Sequence, residues 1–130
     1  MNSIPFQLIF NELSIRNNQM EEGEFTVSPR FSRYVWIDEG NRGFSRLRIE
    51  IKNTEEQPFP FDLTVDITGA FSMDSVPKEA YEEFLNNHAI RILLPYARTM
   101  VTNLTTAAMA APIVLPLMDP VELFADKSGS

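Results

Sequence analysis

The sequence predicts an α+β protein in which a four-stranded antiparallel sheet is followed by a long kinked helix and a short C-terminal helix. Apolar and polar residues alternate in the first half of the chain, as in strands with one buried face. In the second half, apolar residues recur at spacings of three and four, as on one face of a helix. One sheet face and one helix stripe should bury each other, and the opposite sheet face should be polar and wet.

Length and composition predict one domain over residues 1–125 with a flexible polar tail over residues 126–130. The chain has 130 residues, no cysteine and a formal net charge of -7. The absence of cysteine excludes disulfides and thiolate sites. No signal peptide is expected at the start. The charge-free stretch Thr99–Met118 has the length of a membrane span, but Pro112 and Pro116 argue against one.

Two segments show the clearest strand pattern. Apolar residues alternate with charged ones around Leu47, Ile49 and Ile51, and the same alternation runs through Phe59–Thr68. The polar connection Asn53–Pro58 between them has the length of a hairpin loop.

Two earlier strands are predicted on weaker patterns. The first begins with the alternation of Phe6, Leu8 and Phe10. The second lies within Phe25–Ile37, where the alternation changes phase and Pro29 cannot donate a backbone hydrogen bond. An edge strand with a bulge or a kink accounts for both features.

The long helix is predicted from a single apolar stripe that begins near Tyr81. Pro77 suits the first helical turn. Pro95 removes one backbone donor, so the helix is expected to kink or restart near Leu94. Asp119 is expected to cap the last short helix, with Pro120 in its first position. The predicted stripe consists of Tyr81, Phe84, Leu85, His88, Ala89, Ile92, Leu93, Tyr96, Met100, Leu104, Ala107 and Ala111.

The sequence offers little for catalysis, and a non-enzymatic protein is predicted. His88 is the only histidine and lies on the predicted apolar stripe, so a structural role is favoured. One histidine without cysteine makes a metal site improbable, and no glycine-rich phosphate loop is present. No cofactor is therefore predicted. The acidic net charge argues against nucleic acid and against anionic membranes.

Aromatic residues are numerous, with ten phenylalanines, three tyrosines and one tryptophan. Most should form the core, yet the second strand carries aromatic residues on both faces. Tyr34 and Trp36 therefore predict an apolar contact surface. Met100 and other methionines would add adaptable surface, or simply fill the core.

The segment Ile92–Arg98, Ile-Leu-Leu-Pro-Tyr-Ala-Arg, resembles the Ile-Leu-Phe-Pro-Tyr-Ala-Arg block of the SecB family. Further similarities follow in the family's order. Gly69–Phe71 resembles the Gly-x-Phe that ends the family's last strand, and Phe6–Leu8 resembles its Phe-Gln-Ile. Pro112–Leu117 resembles the Pro-rich segment after the helix, and Asp119 to Phe124 resembles the short helix that follows it.

The resemblance implies a cytoplasmic, ATP-independent chaperone that holds unfolded precursor proteins for export and delivers them to the SecA motor. It implies a homotetramer built as a dimer of dimers, peripheral to the membrane only through the translocation machinery. Client segments of the family lie in apolar grooves. The matching positions here are Tyr96 and Phe124, with Trp36 near a family aromatic on the second strand; Tyr34 and Met100 complete the predicted client-binding set.

One departure concerns the surface that would dock on SecA. The family has an acidic residue on its last strand, and Thr64 occupies the matching position here, flanked by Asp62 and Asp66. These three residues form the predicted docking site. Two alternatives stay open, namely a SecB-like chaperone dedicated to a toxin–antitoxin pair and an oligomeric adaptor that binds a folded partner.

Overall fold

Four antiparallel strands form one sheet, and the helices follow them in the chain. The structure is a computed structural model that describes residues 6–21, 23–73, 76–116, 119 and 123–124. The predicted fold class is confirmed. The elements are β1 Phe6–Asn17, β2 Arg30–Ile37, β3 Arg42–Ile51, β4 Phe61–Ser72, α1 Lys78–Glu83, a π-helical turn Phe84–His88, and α2 Ala89–Ala107.

The strand order is β1-β4-β3-β2, so β3 and β4 are central and β1 and β2 are the edges. This confirms the edge position that Pro29 predicted for the second strand. The bulge predicted for that strand is wrong, because β2 pairs with β3 in unbroken register. Its change of phase arises because Phe25 to Pro29 precede the strand. The bulge of this sheet lies instead in β1, between Phe10 and Glu12.

The core lies between one face of the sheet and the helices. Alternate residues of β3 and β4 on this face are almost completely buried, and Leu93, Ala97 and Val101 of α2 pack against them. A second cluster around Phe71 and Tyr81 continues the core beneath α1 and the π-helical turn. The strand residues of the main cluster are Phe31, Leu47, Ile49, Ile51, Leu63, Val65 and Ile67.

The helical region departs from the predicted stripe. The stripe is confirmed up to Leu93, apart from His88, which is exposed and stacks on Phe84. Beyond it, Ala97 is buried and Tyr96 is exposed. The fully buried positions of α2 include Ala89, Leu93, Ala97, Val101 and Thr105, which recur at intervals of four residues.

Proline does not divide the helix. Of the two outcomes predicted near Leu94, a kink or a restart, the restart does not occur, because α2 runs unbroken through Pro95. The Pro95 carbonyl still accepts a hydrogen bond from the Thr99 hydroxyl at 3.0 Å. Pro77 directly precedes α1 as its N-cap, in agreement with its predicted place at the helix start. The predicted helix after Asp119 includes Pro120 and residues 121–122, which lie outside the described residues.

Side chains of the sheet hold the π-helical turn in place. The Ser45 hydroxyl donates to the Leu85 carbonyl at 3.0 Å, and Arg33 Nη1 donates to the Asn86 carbonyl at 2.6 Å. A π-helical turn interrupts the regular ladder of helix hydrogen bonds, and a buried carbonyl without a partner would be costly. Polar side chains at two sheet positions therefore stabilise this irregular turn.

The outer face of the sheet, on the side away from the helices, is not the wet surface that alternation predicted. Thr64, Asp66 and Thr68 of the central strand β4 are buried there. Long side chains of the neighbouring strands cover them, since Arg46 binds both oxygens of Asp66 and Arg48 Nη1 lies 2.7 Å from Asp66 Oδ2. Because β4 lies between β1 and β3, side chains of both neighbours can cover its outward residues, and these residues are therefore both polar and buried.

The pKa of Asp66 shows that this carboxylate is held in its charged form. Burial by itself raises the pKa, but hydrogen bonds from Arg46, Asn11 and Arg48 outweigh burial and hold the pKa at about 2. Because this lies below the ordinary value, the pairing stabilises the fold above about pH 4. The contribution is lost as pH falls through about 2, and its size is roughly 2 kcal/mol.

We expect Asp66→Asn to destabilise the protein at pH 7, because Arg46 and Arg48 then lose their shared anion. The gap in unfolding free energy between wild type and variant should narrow between about pH 4 and pH 2. Urea unfolding at a series of pH values measures this gap. Glu56→Gln, on the exposed hairpin connection, is the matched control. A gap that stays constant down to pH 2 would contradict the assignment.

Candidate functional site

An apolar cleft of about 600 Å³ opens between the segment that precedes β2 and the segment that follows α2. Both segments lack regular structure, and the ends of the β3–β4 hairpin and of α2 complete the lining. The lining residues are mainly aromatic residues, valines, alanines and prolines. They are Gly23, Phe25, Val27, Pro29, Phe59, Pro60, Phe61, Thr105, Ala110, Ala111, Pro112, Ile113, Val114, Leu115 and Pro116.

One wall comes from the connection between the two edge strands. Phe25 packs edge-to-face on Phe59, with ring centroids 6.3 Å apart, and this contact fixes the connection against the hairpin. Val27 lies further along the same wall and is exposed. At the hairpin base, Asn18 donates to the Phe59 carbonyl at 3.1 Å. These contacts hold apolar side chains at the rim of the cleft.

Polar side chains of α2 fix the opposite wall. Arg98 donates twice to the Leu115 carbonyl, at 2.8 and 3.1 Å. The Thr102 hydroxyl donates to the Ile113 carbonyl at 2.8 Å, and the Thr105 hydroxyl accepts from the Ile113 amide at 3.0 Å. Because these bonds engage the backbone, the apolar side chains of the segment remain free to face the cleft. Val114 is 70% exposed.

The chemistry of the cleft is that of an apolar binding surface. Of the described lining residues, Thr105 alone carries a polar side chain, and its hydroxyl is already bonded to α2 and to Ile113. Pockets that select one ligand usually present a few convergent polar groups, and catalytic sites add a titratable group with a shifted pKa. Neither feature is found among the described lining residues. The cleft therefore suits apolar side chains of varied shape.

The structure does not bring the five predicted client-binding residues together. Tyr34 and Trp36 are exposed on the outer face of the sheet, with Trp36 stacked on Phe44 at 5.0 Å. Tyr96 is 44% exposed on α2, and Met100 is half-buried beside the core.

Phe124 has a different environment from the other four. It is only 4% exposed and belongs to the main core cluster. The guanidinium of Arg33 lies over its ring at 4.8 Å, on the helix side of the sheet. Arg33 also binds the π-helical turn, so Phe124 packs where β2 and the helices meet. In this structure Phe124 is part of the fold, and Tyr96 is part of the surface.

The three predicted docking residues lie along the outer face of β4. Asp66 and Thr64 are buried, whereas Asp62 is half-buried and binds the Asn53 amide at 2.9 Å. The backbone hydrogen bond from Asn53 is the main reason that the pKa of Asp62 is lowered. Asp62 is thus the more accessible of the two carboxylates in this set.

Sequence reasoning missed the cleft itself. Phe25 and Val27 were treated as strand residues, and Pro112 to Pro116 were noted only for their similarity to a Pro-rich segment. The available signal was that both segments are apolar and contain prolines, although neither is regular structure. Apolar segments of this kind in loops mark contact surfaces more often than core.

These features define a class of protein: an α+β scaffold that presents an apolar cleft between two irregular segments. The sequence also matches the profile of the family described as "Preprotein translocase subunit SecB" over residues 38–129. The match covers more than half of the chain, so the chain belongs to the SecB family. Members of this family are chaperones rather than enzymes, which agrees with the prediction of a non-enzymatic protein.

Two curated relatives carry the description "Protein-export protein SecB". One, from Dinoroseobacter shibae, is 32% identical over 79 residues, which is 61% of this chain and 46% of that protein. The other, from Paracoccus denitrificans, is 26% identical over 88% of this chain and 68% of that protein. This chain therefore matches less than half the length of the first relative.

A solved structure has the same fold. It is a SecB-like chaperone of Mycobacterium tuberculosis in complex with a ChAD peptide from the HigA1 antitoxin. The TM-score is 0.71 at 14% identity, and the match covers 89% of each chain. Within the described part of the chain, the helices are too short or too polar to cross a bilayer.

We expect single alanine substitutions to distinguish Phe124, which is buried in the core, from Tyr96, which is exposed on α2. Phe124→Ala should destabilise the protein by about 3–5 kcal/mol, as large-to-small core changes do. Tyr96→Ala should change unfolding free energy by less than about 1 kcal/mol, because its ring is already half in water. Thermal and urea unfolding measure both values. Equal losses for the two variants would contradict the placement of these rings.

Proposed function

We propose that this protein is an ATP-independent chaperone that holds non-native polypeptides through its apolar cleft. The observation that carries this proposal is the cleft of about 600 Å³, lined almost wholly by apolar side chains, on a SecB-family fold. A binding surface that must accept many sequences depends on apolar area and aromatic faces, because fixed polar pairs would select one ligand.

The cleft fits apolar side chains of an extended client segment. Phe25 and Val27 on one side and Val114 on the other would contact them, and Phe59 and Phe61 would form the base. Burial of client side chains against these residues is favourable by about 25 cal/mol per Å² of apolar area. Tyr96, exposed on α2, is proposed as a further contact outside the cleft.

The cellular role that we propose is protein export from the cytoplasm, as the descriptions of both curated relatives suggest. Clients would be unfolded precursor proteins. Docking on SecA through Asp62, Thr64 and Asp66 stays a prediction. Asp62 is the member of that set on which such a contact would chiefly depend, because Asp66 is already bound by two arginines.

A second candidate role is the control of a toxin–antitoxin pair. The M. tuberculosis structure favours it, because that SecB-like chaperone is bound to an antitoxin peptide. The same cleft would then hold one antitoxin segment. Holding assays distinguish the two roles, since a dedicated chaperone would ignore unrelated unfolded chains that an export chaperone binds.

We expect Val27→Asp with Val114→Asp to abolish most client holding, because each change places a carboxylate on a surface that has no partner for it. Binding of reduced, carboxymethylated α-lactalbumin, a permanently unfolded chain, should weaken by at least about tenfold, or 1.4 kcal/mol. Fluorescence anisotropy without nucleotide measures the affinity.

The matched control for this test is Met20→Asp, which places the same charge on a part-exposed apolar residue that does not line the cleft. It should bind the unfolded chain like wild type. The cleft is not the client site if both aspartate variants hold the unfolded chain with unchanged affinity. A wild type that does not bind it at all would refute the general chaperone role.

We also propose a homotetramer built from two dimers. Apolar side chains remain exposed along the edge strand β1, including Phe10 at 46%, and subunit contact would cover them. The exposed apolar residues of this strand are Phe6, Ile9, Phe10 and Leu13.

Light scattering after size exclusion should give a mass near four chains, or near two where the pairing of dimers is weak. Phe10→Asp should lower the mass, because it adds a charge to the apolar edge. Asn17→Asp, at the polar end of the same strand, is the control. A monomer at concentrations of tens of micromolar would contradict this assembly.

A further inference from the structure

The outer face of the sheet, formed by the side chains that point away from the helices, has the opposite charge to the protein as a whole. Of the described residues, it holds six of the eleven basic residues but five of the eighteen acidic ones, so its net charge is +1 against -7 for the chain. The basic members are Arg16, Arg30, Arg42, Arg46, Arg48 and Lys52, and the acidic members are Glu12, Asp38, Glu50, Asp62 and Asp66.

The positive charge concentrates on the half of the outer face formed by β2 and β3. Of the five carboxylates on the face, Asp66 is fully buried and already shared by Arg46 and Arg48. No ion pair involves Arg30 within the described part of the chain. Arg42 is 60% exposed in its side chain, and its side-chain bond to Asp38 uses Nε. Among the described residues, its two terminal nitrogens have no acceptor.

Aromatic rings lie among these arginines. Trp36 stacks on Phe44 at 5.0 Å, and Arg42 lies 5.4 Å from the Phe44 ring. Arg46 lies 5.6 Å from the ring of Tyr34, which is exposed. Tyr34 and Trp36, which are predicted from the sequence to bind clients, thus belong to a mixed aromatic and basic surface that is separate from the apolar cleft.

We propose that the β2–β3 part of the outer face docks an acidic peptide segment of a partner protein. Terminal guanidinium nitrogens bind carboxylates in pairs, and the Trp36–Phe44 pair offers an apolar platform between the charges. Arg30 and Trp36 are six residues apart on one strand, which is about 20 Å, so an extended segment of about six residues spans the surface.

Charge complementarity is the reason to prefer an acidic peptide. A basic partner would meet a net positive surface, and like charges at an interface oppose association. Aromatic rings beside arginines also suit single-stranded nucleic acid. The strongly acidic remainder of the chain repels a long polyanion, whereas a short acidic segment contacts only the outer face.

Trp36 provides the measurement, because it is the only tryptophan in the chain and lies within the proposed surface. We expect the capped hexapeptide Glu-Glu-Phe-Leu-Glu-Glu to change tryptophan fluorescence saturably, with an affinity that falls as salt rises. The hexapeptide Lys-Lys-Phe-Leu-Lys-Lys should bind at least about tenfold more weakly.

Charge reversal locates the contact. Arg30→Glu with Arg42→Glu should weaken binding of the acidic hexapeptide by at least about tenfold. Lys78→Glu, the same change at an exposed position on α1, should leave it unaltered. Arg42→Glu also removes the bond to Asp38 in the connection between β2 and β3. Arg30 has no ion pair within the described part of the chain, so Arg30→Glu alone should weaken binding without disturbing that connection. Melting curves confirm that each variant is folded.

The proposal does not rest on the client cleft, and the variants separate the two. Arg30→Glu with Arg42→Glu should still bind an uncharged, capped hexapeptide of leucine and serine that suits the apolar cleft, and Val27→Asp with Val114→Asp should still bind the acidic hexapeptide. Tighter binding of the lysine hexapeptide, or unchanged affinity in folded Arg30→Glu variants, would overturn the proposal. Tighter binding of hexathymidylate than of the acidic hexapeptide would replace the peptide by nucleic acid.

Discussion

Two hydrogen bonds from the sheet anchor the π-helical turn at Phe84–His88, from which α2 continues, and the apolar cleft depends on where α2 lies on the sheet. The turn is held by Ser45 and Arg33, two polar side chains on an otherwise apolar sheet face. In α2, Ala97 meets the sheet and Tyr96 faces outward.

The position of α2 on the sheet also places the polar residues that fix one wall of the cleft. Arg98, Thr102 and Thr105 of α2 all reach the backbone of residues 113–115. Their hydrogen bonds satisfy main-chain groups of a segment without regular structure, and they leave its apolar side chains exposed. The wall of the cleft is therefore a loop fixed to a helix, which combines a stable position with an accessible apolar surface.

The two sides of the sheet have different chemistry because the central strand β4 is covered on both. On the helix side its residues meet apolar side chains. On the outer side Asp66 is covered by Arg46 and Arg48, two positive charges that share one negative charge. Because Arg46 and Arg48 neutralise Asp66, the outer face does not share the net negative charge of the rest of the protein. The acidic surplus of the chain lies elsewhere, so the net charge of the whole sequence does not describe the outer face.

The sequence alone determined the strands, the long helix, the β3–β4 hairpin and the family resemblance at Ile92–Arg98, because periodicity and short motifs are local properties of the chain. Tertiary structure decided which predicted site residues reach the surface. It placed Phe124 in the core, Tyr96 in solvent, and Tyr34 and Trp36 on the outer face. The cleft also arises only in three dimensions, because its walls lie about ninety residues apart in sequence. They meet because α2 packs on the sheet and brings the segment that follows it beside the segment that precedes β2.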